Sequence, residues 1–221
     1  MDCCSATGQQ FDAAVAKRDL RRWRRRGPDA STKHLIKAVR AGHLPPQPTL
    51  VDVGGGVGAI HHTLLDQGFA HATHVDASAA YLGAAAEEAE RRGHTARVQF
   101  QHGDFSVIAA TVPSADVVTL DRVVCCYPDY AGLLRAAADH TRRFLAFSYP
   151  RRHWFSRLVV AGTNAVSRLR GRAFRAYVHS PAAMAAVLEG AGLRRSWSGG
   201  TWIWAVELFE RAPMRAPPQS T

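Results

Sequence analysis

The chain has 221 residues, 47% of them hydrophobic and 21% charged, with a formal net charge of +10. That length favours one domain with a sizeable core over two full domains, and the balance of residue types excludes a disordered chain. Of the 28 basic residues 25 are Arg, in an Ala-rich sequence, a compositional bias that weakens the charge as a pointer to nucleic acid. Four cysteines in two adjacent pairs, Cys3-Cys4 and Cys125-Cys126, give no spaced disulfide framework, and no metal is expected. The N-terminus has no apolar signal-peptide core, and no apolar run approaches the ~18 residues of a membrane span. A reducing cytoplasm is the expected compartment.

In chain order, residues 1–45 read as a basic helical lid, broken into two pieces at Gly27-Pro28, with Phe11 and Trp23 as its apolar contacts over a pocket. "TLVDVGGGVG" from Thr49 is a buried strand running into a glycine-rich turn, followed by a helix over "AIHHTLLDQGF". "ATHVDAS" is a second strand, "AYLGAAAEEAERRG" a helix stopped at Gly93, and "RVQFQHGDF" a third strand. "ADVVTLDRVV" is a fourth strand, reaching Val124, and "RFLAFSYP" a fifth, after the helix "YAGLLRAAADHTRR". Residues 151–175 carry no strand signal. There Phe155, Leu158, Val159, Gly162, Ala165, Val166 and Leu169 recur at helical spacing, which predicts a helical cover insert. After a helix over "SPAAMAAVLEGAG", Gly199-Gly200 separates two strand-like runs, an antiparallel hairpin, and residues 212–221 are a loose tail. Strands alternating with helices predict an α/β fold with a Rossmann-like seven-stranded, mostly parallel sheet covered on both faces. Residues 46–211 form that domain.

Three features fall at the carboxyl ends of successive strands. The run Asp52-Val53-Gly54-Gly55-Gly56-Val57-Gly58 gives a sharp turn that a ligand can approach without a Cβ in the way. Asp76, 22 residues after Gly54, ends the next strand, where a carboxylate can accept both hydroxyls of a ribose. Asp104, in "HGDF", ends the third, where it can face an adenine amino group. Each alone is equally a turn former or a helix cap. Together they line one crevice.

The D-x-G-x-G-x-G run from Asp52 to Gly58, the acid Asp76, the pair Gly103-Asp104 and the closing hairpin resemble the class I S-adenosylmethionine-dependent methyltransferases over about Thr49 to Arg211. The resemblance implies S-adenosylmethionine as cofactor and S-adenosylhomocysteine as product. It implies a site of Asp52, Gly54, Gly56, Gly58, Asp76 and Ala77, with Asp104 and Phe105 flanking the adenine and Asp121 at the fourth strand. "LDRVVCCYPD" and the stretch holding Arg175, Tyr177 and His179 are similar to the magnesium-protoporphyrin methyltransferase group. That group keeps a His immediately before Tyr-Pro, where this chain has Cys126, so the architecture carries over and the porphyrin acceptor does not.

Methyl transfer from a sulfonium is chiefly a matter of positioning and of excluding water, and a general base is needed only for a poor nucleophile such as an alcohol. Tyr127, His179 and Asp121 are the candidates to orient or deprotonate an acceptor. Phe11, Cys126, Tyr127, His153, Arg175, Tyr177 and His179 are candidates to contact it. The expected acceptor is a small anionic or aromatic molecule. The arginines around the insert read either as a basic rim for such an acceptor or as a solvated face, with peripheral contact to an anionic membrane as a third possibility. No nucleic acid partner is expected, since no RNA-binding module accompanies the domain. An RNA methyltransferase and a non-catalytic protein built on the cofactor fold are the alternatives.

Overall fold

A computed structural model describes residues 10–169, 171 and 173–212. Cys3 and Cys4, Arg170, Arg172 and the tail beyond Ala212 lie outside that set. Seven strands form one sheet: β1 (Thr49–Val53), β2 (His71–Asp76), β3 (Val98–His102), β4 (Ala115–Asp121), β5 (Thr141–Pro150), β6 (Leu193–Gly200) and β7 (Trp204–Arg211). Their order is β3-β2-β1-β4-β5-β7-β6. The first five run parallel, and β7 enters antiparallel to both β5 and β6.

The helices are α1 (Ala13–Arg26), α2 (Ala30–Ala41), α3 (Ala59–Asp66), α4 (Ala79–Arg92), the single turn α5 (Phe105–Ile108), α6 (Tyr130–Asp139), α7 (Trp154–Leu169) and α8 (Pro181–Gly190). Their ends follow local chemistry. The Asp12 carboxylate accepts from Val15 N at the start of α1, and Gly27 at φ 71° ends it. Ser78 Oγ accepts from Tyr81 N at the start of α4, and left-handed Gly93 stops it.

The core lies on both faces of the sheet, which is why its central strands read as nearly continuous apolar runs. Val118, Leu120 and Leu145 face α6 and α8, meeting Leu134, Met184 and Leu188. Their neighbours Val117 and Ala146 point the other way, to Leu35 and Val39 of α2 and Leu64 of α3.

Two boundaries differ from the sequence reading. The fourth strand ends at Asp121, because Arg122 turns into the left-handed region at φ 62° and Val124–Cys126 form a single 3-10 turn. The hairpin glycines sit at the end of β6, and residues 201–203 make the turn. Gly200 is required there: at φ 113° a Cβ would lie 2.2 Å from the Trp204 carbonyl oxygen.

The basic α1 is anchored to α4. Arg24 donates through Nε to the fully buried Glu88 at 2.7 Å, and Arg91 and Arg92 donate to the same carboxylate. Burial alone would push Glu88 up, but the hydrogen bonds from Arg91, Arg92 and Arg24 outweigh it and hold the group at about 2. That contribution is complete above the ordinary carboxylate value of 4.5 and is lost as pH falls toward 2. The three guanidinium groups keep access to water, so losing their partner costs less than stranding a buried charge. Glu88→Ala is expected to destabilise the protein by about 2 kcal/mol in urea unfolding near neutral pH.

Candidate active site

A cleft of about 420 Å³ opens over the carboxyl ends of β1, β2 and β4. The strand order reverses between β1 and β4, the place where open α/β sheets bind ligands. The floor is the turn Gly54–Gly56. Gly54 and Gly56 hold left-handed φ values of 61° and 58°. A Cβ on Gly54 would lie 2.4 Å from Val123 Cγ2, whereas one on Gly56 would meet nothing within 4 Å, so the turn is packed at one end and open to the cleft at the other. The Asp76 carboxylate faces that opening, accepting from Gly56 N at 3.0 Å and Ser78 N at 2.8 Å.

Of the residues expected to hold a cofactor, Gly54, Gly56, Asp76, Ala77, Phe105 and Asp121 line the cleft. Asp52, Gly58 and Asp104 do not. Asp52 lies fully buried behind the turn, accepting from Thr119 Oγ1 at 2.8 Å and meeting His61 Nδ1 at 3.2 Å. Gly58 opens α3, where a Cβ would lie 2.6–2.7 Å from the rings of His61 and His62; imidazole packing fixes it, not a ligand. The Asp104 Oδ1 atom caps α5 through Ser106 and accepts from Tyr127 Oη at 2.7 Å.

On the acceptor side Phe11, Cys126 and Tyr127 line the cleft, while His153, Arg175, Tyr177 and His179 do not. His179 Nε2 donates to the Tyr127 carbonyl at 2.9 Å and its ring packs on Tyr130, so it braces the loop from behind; burial lowers its pKa. His153 stacks on Trp202, and Tyr177 N donates to the Cys125 carbonyl. Asp121 spends one oxygen on Ser148 Oγ and the other on Thr32 Oγ1 at 2.6 Å. Cys125 and Cys126 are not bridged: their sulfur atoms stand 3.9 Å apart, and both line the wall.

Phe11 and Trp23 of the expected N-terminal lid do line the cleft, whereas the sequence reading missed the contribution of α2 and Arg122. Trp23, Arg22, Asp29 and Thr32 join Phe11 along one side of the cleft. Arg122 NH2 donates to Asp29, Ser31 and Thr32, its backbone N to Ser148 Oγ, and its guanidinium lies 5.3 Å from the Trp204 ring. Its Nε is buried with no hydrogen bond. A left-handed non-glycine residue costs about 1 kcal/mol, which these bonds offset. Nothing in the spelling "LDRVV" signals that reversal.

Behind the floor four imidazoles pack together. The His61 ring lies 4.1 Å from that of His62 and 4.8 Å from that of His74, and His62 Nδ1 is 3.0 Å from His94 Nδ1. Burial holds His61 well below the ordinary 6.5 and His62 at about 3, and pushes Asp52 up, so this layer favours uncharged forms.

Residues 51–143 match the family described as a methyltransferase domain. That match covers less than half of the chain, and the sheet order with its antiparallel β7 is the fold of the class I methyltransferases. No curated protein matches the chain by sequence. Among solved structures it is similar to the magnesium protoporphyrin IX methyltransferase of Synechocystis PCC 6803 with bound S-adenosylhomocysteine. The identity is 20% and the TM-score 0.72, over 96% of this chain and 100% of that one. It is also similar to an O-methyltransferase family 2 protein of Planctomyces limnophilus DSM 3776 in complex with apigenin, at 20% identity and TM-score 0.67, over 90% of this chain and 65% of that one. A third is mitomycin 7-O-methyltransferase, at 24% identity and TM-score 0.63, over 93% and 61%.

The buried histidines set an acid limit. The unfolded chain takes up these protons at about 6.5, whereas in the folded one His62 does so only near 3 and His61 well below 6.5, so stability falls as pH drops below about 6.5. Thermal unfolding is expected at a distinctly lower midpoint at about pH 5 than at about pH 7.5, a range that precedes the Glu88 transition.

Proposed function

We propose that the protein is an S-adenosylmethionine-dependent methyltransferase of a small anionic or aromatic acceptor. The observation that carries this reading is the pairing of the open Gly54–Gly56 turn with the Asp76 carboxylate on the cleft wall. The donor set fits the cofactor. Asp76 would receive the ribose hydroxyls, Gly103 and Phe105 would border the adenine, and the open backbone at Gly56 leaves room for the methionine portion. When bound, the cofactor supplies an electrophilic methyl group on its sulfonium.

What this chain contributes is position and dryness. Phe11, Trp23 and Phe174 wall the cleft with apolar surface and limit access of water to the acceptor. Arg22 and Arg122 share Asp29 at the cleft wall, so an anionic acceptor would compete with that carboxylate for their guanidinium groups. The expected general bases are otherwise engaged: Tyr127 Oη donates to Asp104, both Asp121 oxygens accept from hydroxyls, and His179 lies outside the cleft. This favours an acceptor that ionises by itself, such as a carboxylate, thiol or phenol, over an alcohol. Tyr127, His179 and Asp121 are then positioning residues.

The direct test incubates the protein with S-adenosylmethionine labelled in its methyl group and a panel of carboxylates, phenols, thiols and porphyrins. Label in an ionisable acceptor is expected; absence of any S-adenosylhomocysteine binding in calorimetry would refute the enzyme reading. Asp76→Ala is expected to weaken that binding about tenfold or more. Tyr127→Phe should weaken it severalfold, by about 1 kcal/mol, with kcat nearly unchanged, whereas a catalytic phenol would show chiefly as a loss of kcat.

A further inference from the structure

Helix α7 is built inside out. Ser156, Asn164 and Ser167 lie along one stripe at helical spacing. Ser156 and Ser167 are 3% exposed, and Asn164 bonds both the N–H and the carbonyl of Ala176. The outward side is apolar: Leu158 is 60% exposed, Val159 48%, Val166 46% and Leu169 88%. A helix resting on a globular body ordinarily does the reverse. At its N-terminal end Trp154 and, across the β6–β7 turn, Trp202 and Ile203 are exposed as well. The turn is tied to this end by Arg151, whose N donates to the Ile203 carbonyl at 2.8 Å and whose guanidinium donates to the carbonyls of Thr201 and Gly199. Exposed apolar side chains on α7 and on a turn bonded to Arg151, shortly before it, are of the kind that marks an interaction surface.

Charge identifies what covers it. Between Asp139 and Glu189 the sequence has no acidic residue, and residues 151–175 contain seven arginines. A second copy of the chain would bring like charges together. Neither terminal segment outside the described residues, "MDCCSATGQ" or "PMRAPPQST", has the apolar side chains to cover such a face. Apolar side chains with tryptophans, bordered by arginines and free of acids, match the boundary of an anionic lipid bilayer.

We propose that α7 and the β6–β7 turn dock the protein peripherally on an anionic membrane surface, with the apolar face of α7 set among the lipid headgroups. The following segment, Phe174 and Ala176, lines the cleft, so docking would bring the mouth of the cleft to the membrane. No helix of the described residues is long and apolar enough to cross a membrane, so the attachment lies in the plane of the interface.

The test is co-sedimentation of the full chain with vesicles of phosphatidylcholine alone and of phosphatidylcholine with phosphatidylglycerol, at low and high salt. Binding to the anionic vesicles is expected, weaker in high salt, with a blue shift of tryptophan emission. Leu158→Ser/Leu169→Ser should weaken it about tenfold or more at either salt, and Arg152→Gln/Arg168→Gln should weaken only binding to anionic vesicles. None of these four residues lines the cleft, so S-adenosylhomocysteine binding and circular dichroism should be unchanged, which separates this result from misfolding and from failure of the methyltransferase reading. Equal binding by the leucine variant would reduce the effect to the net charge of the chain and overturn the proposal. A dimer in solution that the leucine variant dissociates would show that a second copy covers the face. A monomer that binds neither vesicle would assign the face to a protein partner.

Discussion

The cleft depends on one carboxyl group and its peptide. Asp76 takes the Gly56 N–H on its side chain, its own carbonyl takes the Gly103 N–H, and the carbonyl before it, of Val75, takes the Gly54 N–H at 2.7 Å. Three consecutive strand-to-helix loops are thereby fastened to the end of β2. The turn is also wedged by side chains, since Val123 of the cleft wall fills the space at Gly54 and the Asp52 carboxylate, behind the turn, the space at Gly55. A loop held at so many points presents its open side at Gly56 already formed, and little ordering is left for a ligand to impose.

The same constraint explains the composition beneath the turn. Gly58 in the left-handed conformation starts α3 at once, which puts His61 and His62 directly under the floor. The space is fully enclosed, so ionised rings there would have no solvent to face, and burial drives them and Asp52 toward neutrality. The electrostatics of the cleft are therefore set from above, by Asp76, Asp121 and the arginines. Helix α1 belongs to the same system. Its Trp23 stacks on His62 and its Asp19 accepts from Tyr81 Oη, tying the N-terminal segment to the layer beneath the turn as well as to the cleft wall.

What was legible in the sequence was what has a period or a backbone requirement. Alternating strands and helices gave the sheet, and the glycine run with Asp76 gave one wall of the cleft. Side-chain function on the acceptor side was less legible, because it depends on which partner reaches an oxygen first. Asp121 meets Thr32 from 89 positions away, and Tyr127 meets Asp104 from 23. No local pattern encodes either encounter. Asp52 and Gly58 show the converse: the motif spells them beside Gly54 and Gly56, but their work is to hold the turn up from behind. The stripe from Leu158 to Leu169 was readable as a helix, and its direction was not, since periodicity gives the width of an apolar face but not what it faces.

The adjacent cysteines belong with Arg122. Both sulfur atoms approach the Arg122 carbonyl, Cys125 at 3.3 Å and Cys126 at 3.6 Å, within the 3-10 turn that follows the left-handed residue. A thiol is compact enough to fold back in this way and is only a weak donor. An imidazole at Cys126, as in the magnesium-protoporphyrin group, is bulkier and would place a strong donor and acceptor at the wall of the cleft. A cysteine there leaves a softer, wider wall, with Arg122 beside it in the lining. On the proposed reading, acceptor choice would turn on the Arg122–Cys126 loop rather than on a histidine, while the other half of the cleft keeps the glycine turn and acid of its fold.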